Sequence, residues 1–406
     1  MNTRVSTLAL SIALVLGTGT VAFAQDKTIK IGVLNDQSGL YADVTGPGST
    51  LAAQMAVEDS GLTKKGWKIE VQAGDHQNKP DIGSNIARQW IDVDKVDVIV
   101  DVPTSSVGLA VNNIVKEKNR VFLNSGSGTS DLTNSQCSPN TIHWAYDTYM
   151  LAHGTGSAMV KSSGDTWFFL TADYAFGSAL ERDTTAALTA LNGKVVGSVR
   201  HPLNTSDFSS FLLQAQASKA KVIGLANAGG DTINAIKQAS EFGIVAGGQK
   251  LGGLLLFISD VHALGLKVAN GLNFTESFYW DLNDQTRDFG KRFSERVKNK
   301  QMPSSVHAGV YSSLLHYFKV LEAMGGNSHD GVAIVNKMKA TPTDDPLFGK
   351  GSIQPNGRKI HPAYLFEVKK PSESKGLWDY YKVVATLPAD QAFTPLDKST
   401  CPLLKK

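Results

Sequence analysis

Between residues 29 and 61 the chain reads IKIGVLNDQSGLYADVTGPGSTLAAQMAVEDSG, and this stretch limits the possible folds more than any other. Residues 29–34 form a short apolar run of the kind that becomes a buried parallel strand. Asn35, Asp36, Ser38 and Gly39 then break the pattern as loop formers, with Leu40 and Tyr41 expected to be exposed among them. Gly46-Pro47-Gly48 marks a helix start, because proline is tolerated in the first turn, where its missing N–H costs nothing. From there Leu51, Ala52, Met55 and Ala56 fall at helical spacing. The unit is strand, long polar loop, helix. In an open α/β sheet that loop lies at the carboxyl end of the strand, where ligands bind.

The alternation continues. Residues 67–73, 96–100 and 120–123 read as strands, with helical spacing over 80–92 and a helix from the Pro103-Thr104-Ser105-Ser106 turn to Glu117. A second series follows, with strands over 166–170, 195–200, 222–226 and 251–257 and helices over 149–160, 175–191, 208–217 and 232–242. Residues 271–277 cross back toward the first series. Helices over 284–300, 306–324 and 330–339 precede a last pair of strands over 363–368 and 378–384. This order implies parallel sheets with right-handed crossovers.

The first 24 residues are set aside as a secretory signal peptide. Arg4 supplies the positive start, residues 8–16 an apolar core too short to span a bilayer, and Ala22-Phe23-Ala24 a cleavage site before Gln25. The mature chain is too long for one core, so two domains are expected. With 40 basic and 37 acidic residues and no basic run, the chain carries no electrostatic footprint for nucleic acid. Cys137 and Cys401 are the only cysteines. In an oxidising compartment they are expected to bridge, which by loop entropy is worth roughly 5 kcal/mol less any strain.

The strand IKIGVLN, the Ser38-Gly39 pair and the alanine-rich helix ending in Glu58-Asp59 and a glycine resemble the opening unit of the periplasmic leucine/isoleucine/valine-binding proteins. The SGLYAD and GPGS variants resemble members that carry aromatic or other hydrophobic carboxylates. The resemblance implies two doubly wound α/β lobes with parallel central sheets joined by a three-segment hinge, a type I periplasmic binding protein. Its crossings would fall near His143, Phe274 and Leu347. Residues 25–143 plus 275–347 would then form one lobe, 144–274 plus 348–390 the other, and 391–406 a C-terminal tail. Periodicity alone also permits two sequential domains.

Binding residues are expected on loops at strand ends facing the cleft. Thr104 and Ser105 sit at a helix N-terminus, where free N–H groups and the helix dipole suit a carboxylate; either residue also serves as a plain cap. Within Ser125-Gly126-Ser127-Gly128-Thr129, glycines allow close backbone approach, and the resemblance maps carboxylate contacts to Ser127 and Gly128. It also implies that Tyr174 covers the ligand, although Tyr174 and Phe176 equally suit lobe packing. Asn227 belongs to the loop after the 222–226 strand. Asp260 lies nearest to the acidic group that holds the ammonium in amino-acid receptors, or else caps the following helix. Tyr41, Tyr174 and Tyr279 together suggest an aromatic box around a flat or bulky apolar body.

Catalytic constellations are thin. Gly46-Pro47-Gly48 lacks the last glycine of a dinucleotide fingerprint, and there is no phosphate-binding GxxxxGK[ST], no GxSxG elbow and no HExxH. The chain is therefore expected to be a monomeric periplasmic receptor, not an enzyme, with no cofactor and no metal. It would deliver a small hydrophobic or aromatic carboxylate to ABC permease subunits. The alternatives are a branched-chain amino acid, amide or urea receptor, and a ligand sensor for a membrane kinase.

Overall fold

The computed structural model describes residues 26–162 and 164–404, so the signal peptide assigned to residues 1–24 lies outside the described residues. Five parallel strands make the first sheet: β1 (Thr28–Asn35), β2 (Lys68–Asp75), β3 (Val98–Asp101), β4 (Val121–Asn124) and β5 (Thr141–His143), in the order β2-β1-β3-β4-β5. A second parallel sheet has the order β7-β6-β8-β9, from β6 (Thr166–Ala172), β7 (Lys194–His201), β8 (Val222–Ala226) and β9 (Lys250–Gly253). Both are doubly wound, and each is the base of one lobe.

The remaining strands are antiparallel. β10 (Asn273–Glu276) pairs with β14 (Ala363–Val368), which pairs with β15 (Tyr381–Leu387), and this ribbon shares a core with the second lobe. β11 (Thr343–Asp345), β12 (Gly349–Ile353) and β13 (Lys359–Ile360) form a small meander against the first lobe's helices. The chain therefore changes lobes after β5, after β10, and between β13 and β14. The third passage lies beyond the Leu347 that the resemblance implied, because Arg358 still bridges to His143 at the end of β5.

Local sequence explains the elements. β1, β3 and β4 are buried along nearly their whole length, as strands covered by helices on both faces must be. Gly32 on β1 and Gly74 on β2, two register positions apart, leave room for Trp90 to lie on the sheet; a Cβ would meet its ring at 2.4 Å and 2.7 Å. The Gly46–Ser60 helix ends at Gly61, whose φ of 66° closes it in the left-handed conformation. One expectation changes: of the 251–257 run only residues 251–253 are strand, within β9 (Lys250–Gly253). Its pairing with β8 stops at Leu225 opposite Gly253, and residues 254–257 leave the ladder and turn into the cleft. The Cys137–Cys401 bridge is formed, with the two Cα atoms 5.5 Å apart.

Candidate functional site

The two sheets present the carboxyl ends of their strands to a shared cleft, as parallel doubly wound sheets do. Each loop there follows a strand directly: 36–45 after β1, 102–104 after β3, 125–129 after β4, 173–174 after β6, 227–229 after β8 and 254–257 after β9. The lobes are closed on one another around a cavity of about 10 Å³, room for no more than one water. From the first lobe it is lined by Tyr41, Val44, Thr45, Pro103, Gly126 and Val306. The second lobe brings Tyr174, Phe176, Ala228, Leu255 and Phe257, and Tyr146 enters from the first crossing.

Three phenols converge there. The hydroxyls of Tyr41 and Tyr174 bond each other across the lobes at 2.7 Å, and Tyr146 donates to Gly126 O at 2.7 Å. Tyr146 also meets Phe257 edge-on, with ring centroids 5.9 Å apart. Burial pushes all three hydroxyls above the usual phenol range; neighbouring phenols and acids add to this at Tyr41 and Tyr146, while at Tyr174 the bond to Tyr41 opposes it, and all three act as neutral donors and acceptors.

Helix starts surround the same space. In the Ser105–Glu117 helix the first internal bond runs from Gly108 N–H to Thr104 O at 2.8 Å, which leaves the N–H groups of Ser105, Ser106 and Val107 without an acceptor among the described residues. In the Gly230–Glu241 helix the first such bond is Ile233 N–H to Gly229 O at 3.0 Å. Both dipoles put positive potential toward the cleft.

The sequence candidates divide by what their polar atoms already hold. Tyr41 and Tyr174 line the cavity and face each other. Gly128 lies beside it: a Cβ would stand 2.7 Å from the Phe176 ring and 2.8 Å from the Tyr146 ring. Thr104 is buried and its hydroxyl donates to Asn78 Oδ1, while Ser105 Oγ accepts from Thr129 N–H at 3.2 Å. The Ser127 hydroxyl is donated to Val102 O, so it braces the loop from behind. Asn227 bonds Thr232 and His201 inside the second lobe.

Asp260 caps its own helix by accepting from Phe257 N–H at 2.9 Å. Tyr279 lies in the second lobe's core and donates to Trp378 O at 3.1 Å, away from the cavity. Sequence reasoning left Tyr146, Leu255, Phe257 and Val306 out of the candidate set. Tyr146, just past the end of β5, carries the same strand-end signal as the loops that were chosen.

Below Pro103 and Gly126 lies a strained turn. Asp101 and Val102 both have positive φ, 79° and 57°, a conformation that β-branched valine strongly disfavours. It is held by Gly126 N–H on Asp101 O at 3.1 Å and by Val102 N–H on Leu34 O at 3.0 Å. Asn35 donates to the buried Asp101 carboxyl at 2.8 Å. Burial nonetheless pushes that carboxyl up to about 7.

Between its ordinary value and about 7, the folded chain keeps a proton there that the unfolded chain has lost. The stabilisation from that proton is full below the ordinary value and is lost as pH rises to about 7. Thermal melts of wild type and D101N across this range test it. The wild type should lose ground to D101N as pH rises, and a pH-independent gap would refute the assignment.

Comparison with known proteins gives consistent relatives. The family described as periplasmic binding protein matches residues 28–376. A crystal structure of a periplasmic binding protein from Burkholderia mallei is 52% identical with TM-score 0.90, covering 93% of this chain and 100% of that one. A branched chain amino acid ABC transporter periplasmic ligand-binding protein from Burkholderia xenovorans LB400 is 39% identical with TM-score 0.81, over 93% of this chain and 100% of that one. An ABC transporter solute binding protein from R. palustris, in complex with benzoate, shares the fold at 20% identity and TM-score 0.78, over 92% of this chain and 99% of that one.

Proposed function

Because this chain belongs to the periplasmic binding protein family, we propose that it is the receptor of an ABC importer and binds a small hydrophobic or aromatic carboxylate between its lobes. What carries this reading is the chemistry of the cavity wall, aromatic and aliphatic side chains with three neutral phenols and no charged side chain, and the start of the Ser105–Glu117 helix two residues beyond the lining Pro103. A carboxylate meets donors and favourable dipoles there, and a ring meets edge and face partners. No carboxylate is among the cavity's lining residues to meet an ammonium, and Asp260 and Asp231 in the second lobe hold backbone N–H groups instead.

Both lobes contribute to the wall, so binding proceeds by lobe opening, ligand entry and closure. The closed receptor then presents both lobes to a membrane permease in the periplasm, as a monomer and without catalysing a reaction. Among the described residues no helix is long and apolar enough to cross a membrane.

The second reading, a branched-chain amino acid, draws support from the description of the 39% identical relative. A thermal-shift titration of the mature chain with benzoate, 4-hydroxybenzoate and leucine separates the two. A ligand at a hundredfold excess over its Kd stabilises the folded state by about 2.7 kcal/mol. Shifts with the benzoates alone are expected. Shifts with leucine alone would overturn the acid reading.

A further inference from the structure

The end of the chain runs from the second lobe back to the first. After β15, at the edge of the second lobe's ribbon, the short helix Ala389–Ala392 leads to Phe393, which is buried against the hinge. Its ring centroid lies 4.0 Å from Arg358 Cζ and 5.0 Å from the His361 ring. Beyond it, Thr394 accepts from Asn134 at 3.4 Å, Ser399 donates to Thr133 O at 3.2 Å, and Cys401 is bonded to Cys137. Thr133, Asn134 and Cys137 all belong to the first lobe, between β4 and β5. The tail is thus a fourth covalent path between lobes, beside the three backbone crossings.

What it covers matters for motion. Arg358, immediately before β13 and the third crossing, donates to Trp144 O at 2.9 Å and to Tyr146 O at 3.2 Å, the first crossing. His361 reaches the same Trp144 O at 3.1 Å. Phe393 therefore lies on the two residues that tie the first crossing to the third.

We infer that the disulfide-closed tail is a clamp on the hinge: it holds Phe393 against Arg358 and His361 and restrains how far the lobes part. The tail makes few other anchoring contacts, and several residues around Cys401 are exposed. Once the bond is opened, conformational entropy draws the tail away from the hinge. Opening by a dithiol is balanced: the S–S bond takes two electrons and two protons to give two thiols, and the dithiol closes to its own cyclic disulfide.

Small-angle scattering of the ligand-free mature chain tests the clamp. The oxidised protein, the dithiothreitol-reduced protein, C137S/C401S and F393A are compared, each checked by circular dichroism for an intact fold. F393A keeps the bond and removes only the ring. The reduced protein and both variants should widen by about 1 Å from a radius of gyration near 21 Å for a compact chain of this length. If none widens, the bridge is only a staple, whatever its loss costs in Tm. If F393A alone stays compact, the ring is not the clamp, and the proposal fails on that result too.

Discussion

Arg358→Met will lower the stability of the folded chain by about 3–5 kcal/mol, the cost usual for removing one partner of a buried ion pair. Arg358 is 1% exposed, and its guanidinium is 3.5 Å from Asp147 Oδ2, itself 1% exposed. The same group satisfies the carbonyls of Trp144, Tyr146 and Lys359. Methionine fills similar volume but leaves those oxygens short of donors in a dry site. It also leaves Asp147, whose burial already pushes its carboxyl up to about 6, without the cation that opposes this shift.

A urea titration reads the effect as a lower midpoint at unchanged slope. R358M/D147N should recover part of the loss, because the buried carboxylate is then no longer charged. A single-variant loss below about 1 kcal/mol, the level of a surface pair, would show that the hinge does not depend on this residue.

On the proposed function, Gly128→Val will weaken binding of benzoate-like acids about 100-fold, equal to about 2.7 kcal/mol. The added side chain would collide with Phe176 of the second lobe and with Tyr146, both within 2.8 Å of the Cβ position. Phe176 reaches Gly128 because the lobes are closed, so the substitution acts mainly on the closed form. Apparent affinity falls in proportion to the fraction of receptor that can still close. Calorimetry gives the Kd, and a melt without ligand checks that the fold survives with Tm lowered by only a few degrees. Undiminished affinity would mean that closure over the ligand does not bring Phe176 onto Gly128.

Part of this site was legible before any coordinates. Tyr41 and Tyr174 were found because each lies on a loop at the end of a strand, and parallel sheets send such loops to one edge. Ser127, Asn227 and Asp260 lie on the right loops too, yet their polar atoms hold Val102 O, Thr232 and Phe257 N–H. A hydroxyl or carboxylate beside a helix start has backbone partners within a few residues, and sequence does not tell which partner is taken. Phe257 was hidden by its apolar neighbours, which read as strand although the ladder with β8 stops at Gly253.

The sequence by itself determined the alternation of short apolar runs with amphipathic helices, and hence the two parallel sheets and the edge where their strand-end loops gather. It also determined the cysteine pair that an oxidising compartment joins. These are local properties, set by spacing along the chain. Only the tertiary structure decided that Tyr146 and Phe257 face the cleft and Tyr279 the core, that the third crossing waits until after Arg358, and that Phe393 covers the hinge. Those outcomes depend on contacts such as Arg358 with Trp144, more than two hundred positions apart. Burying a guanidinium is favourable only where several distant carbonyls are brought to it at once, and no pattern in the neighbouring residues records that.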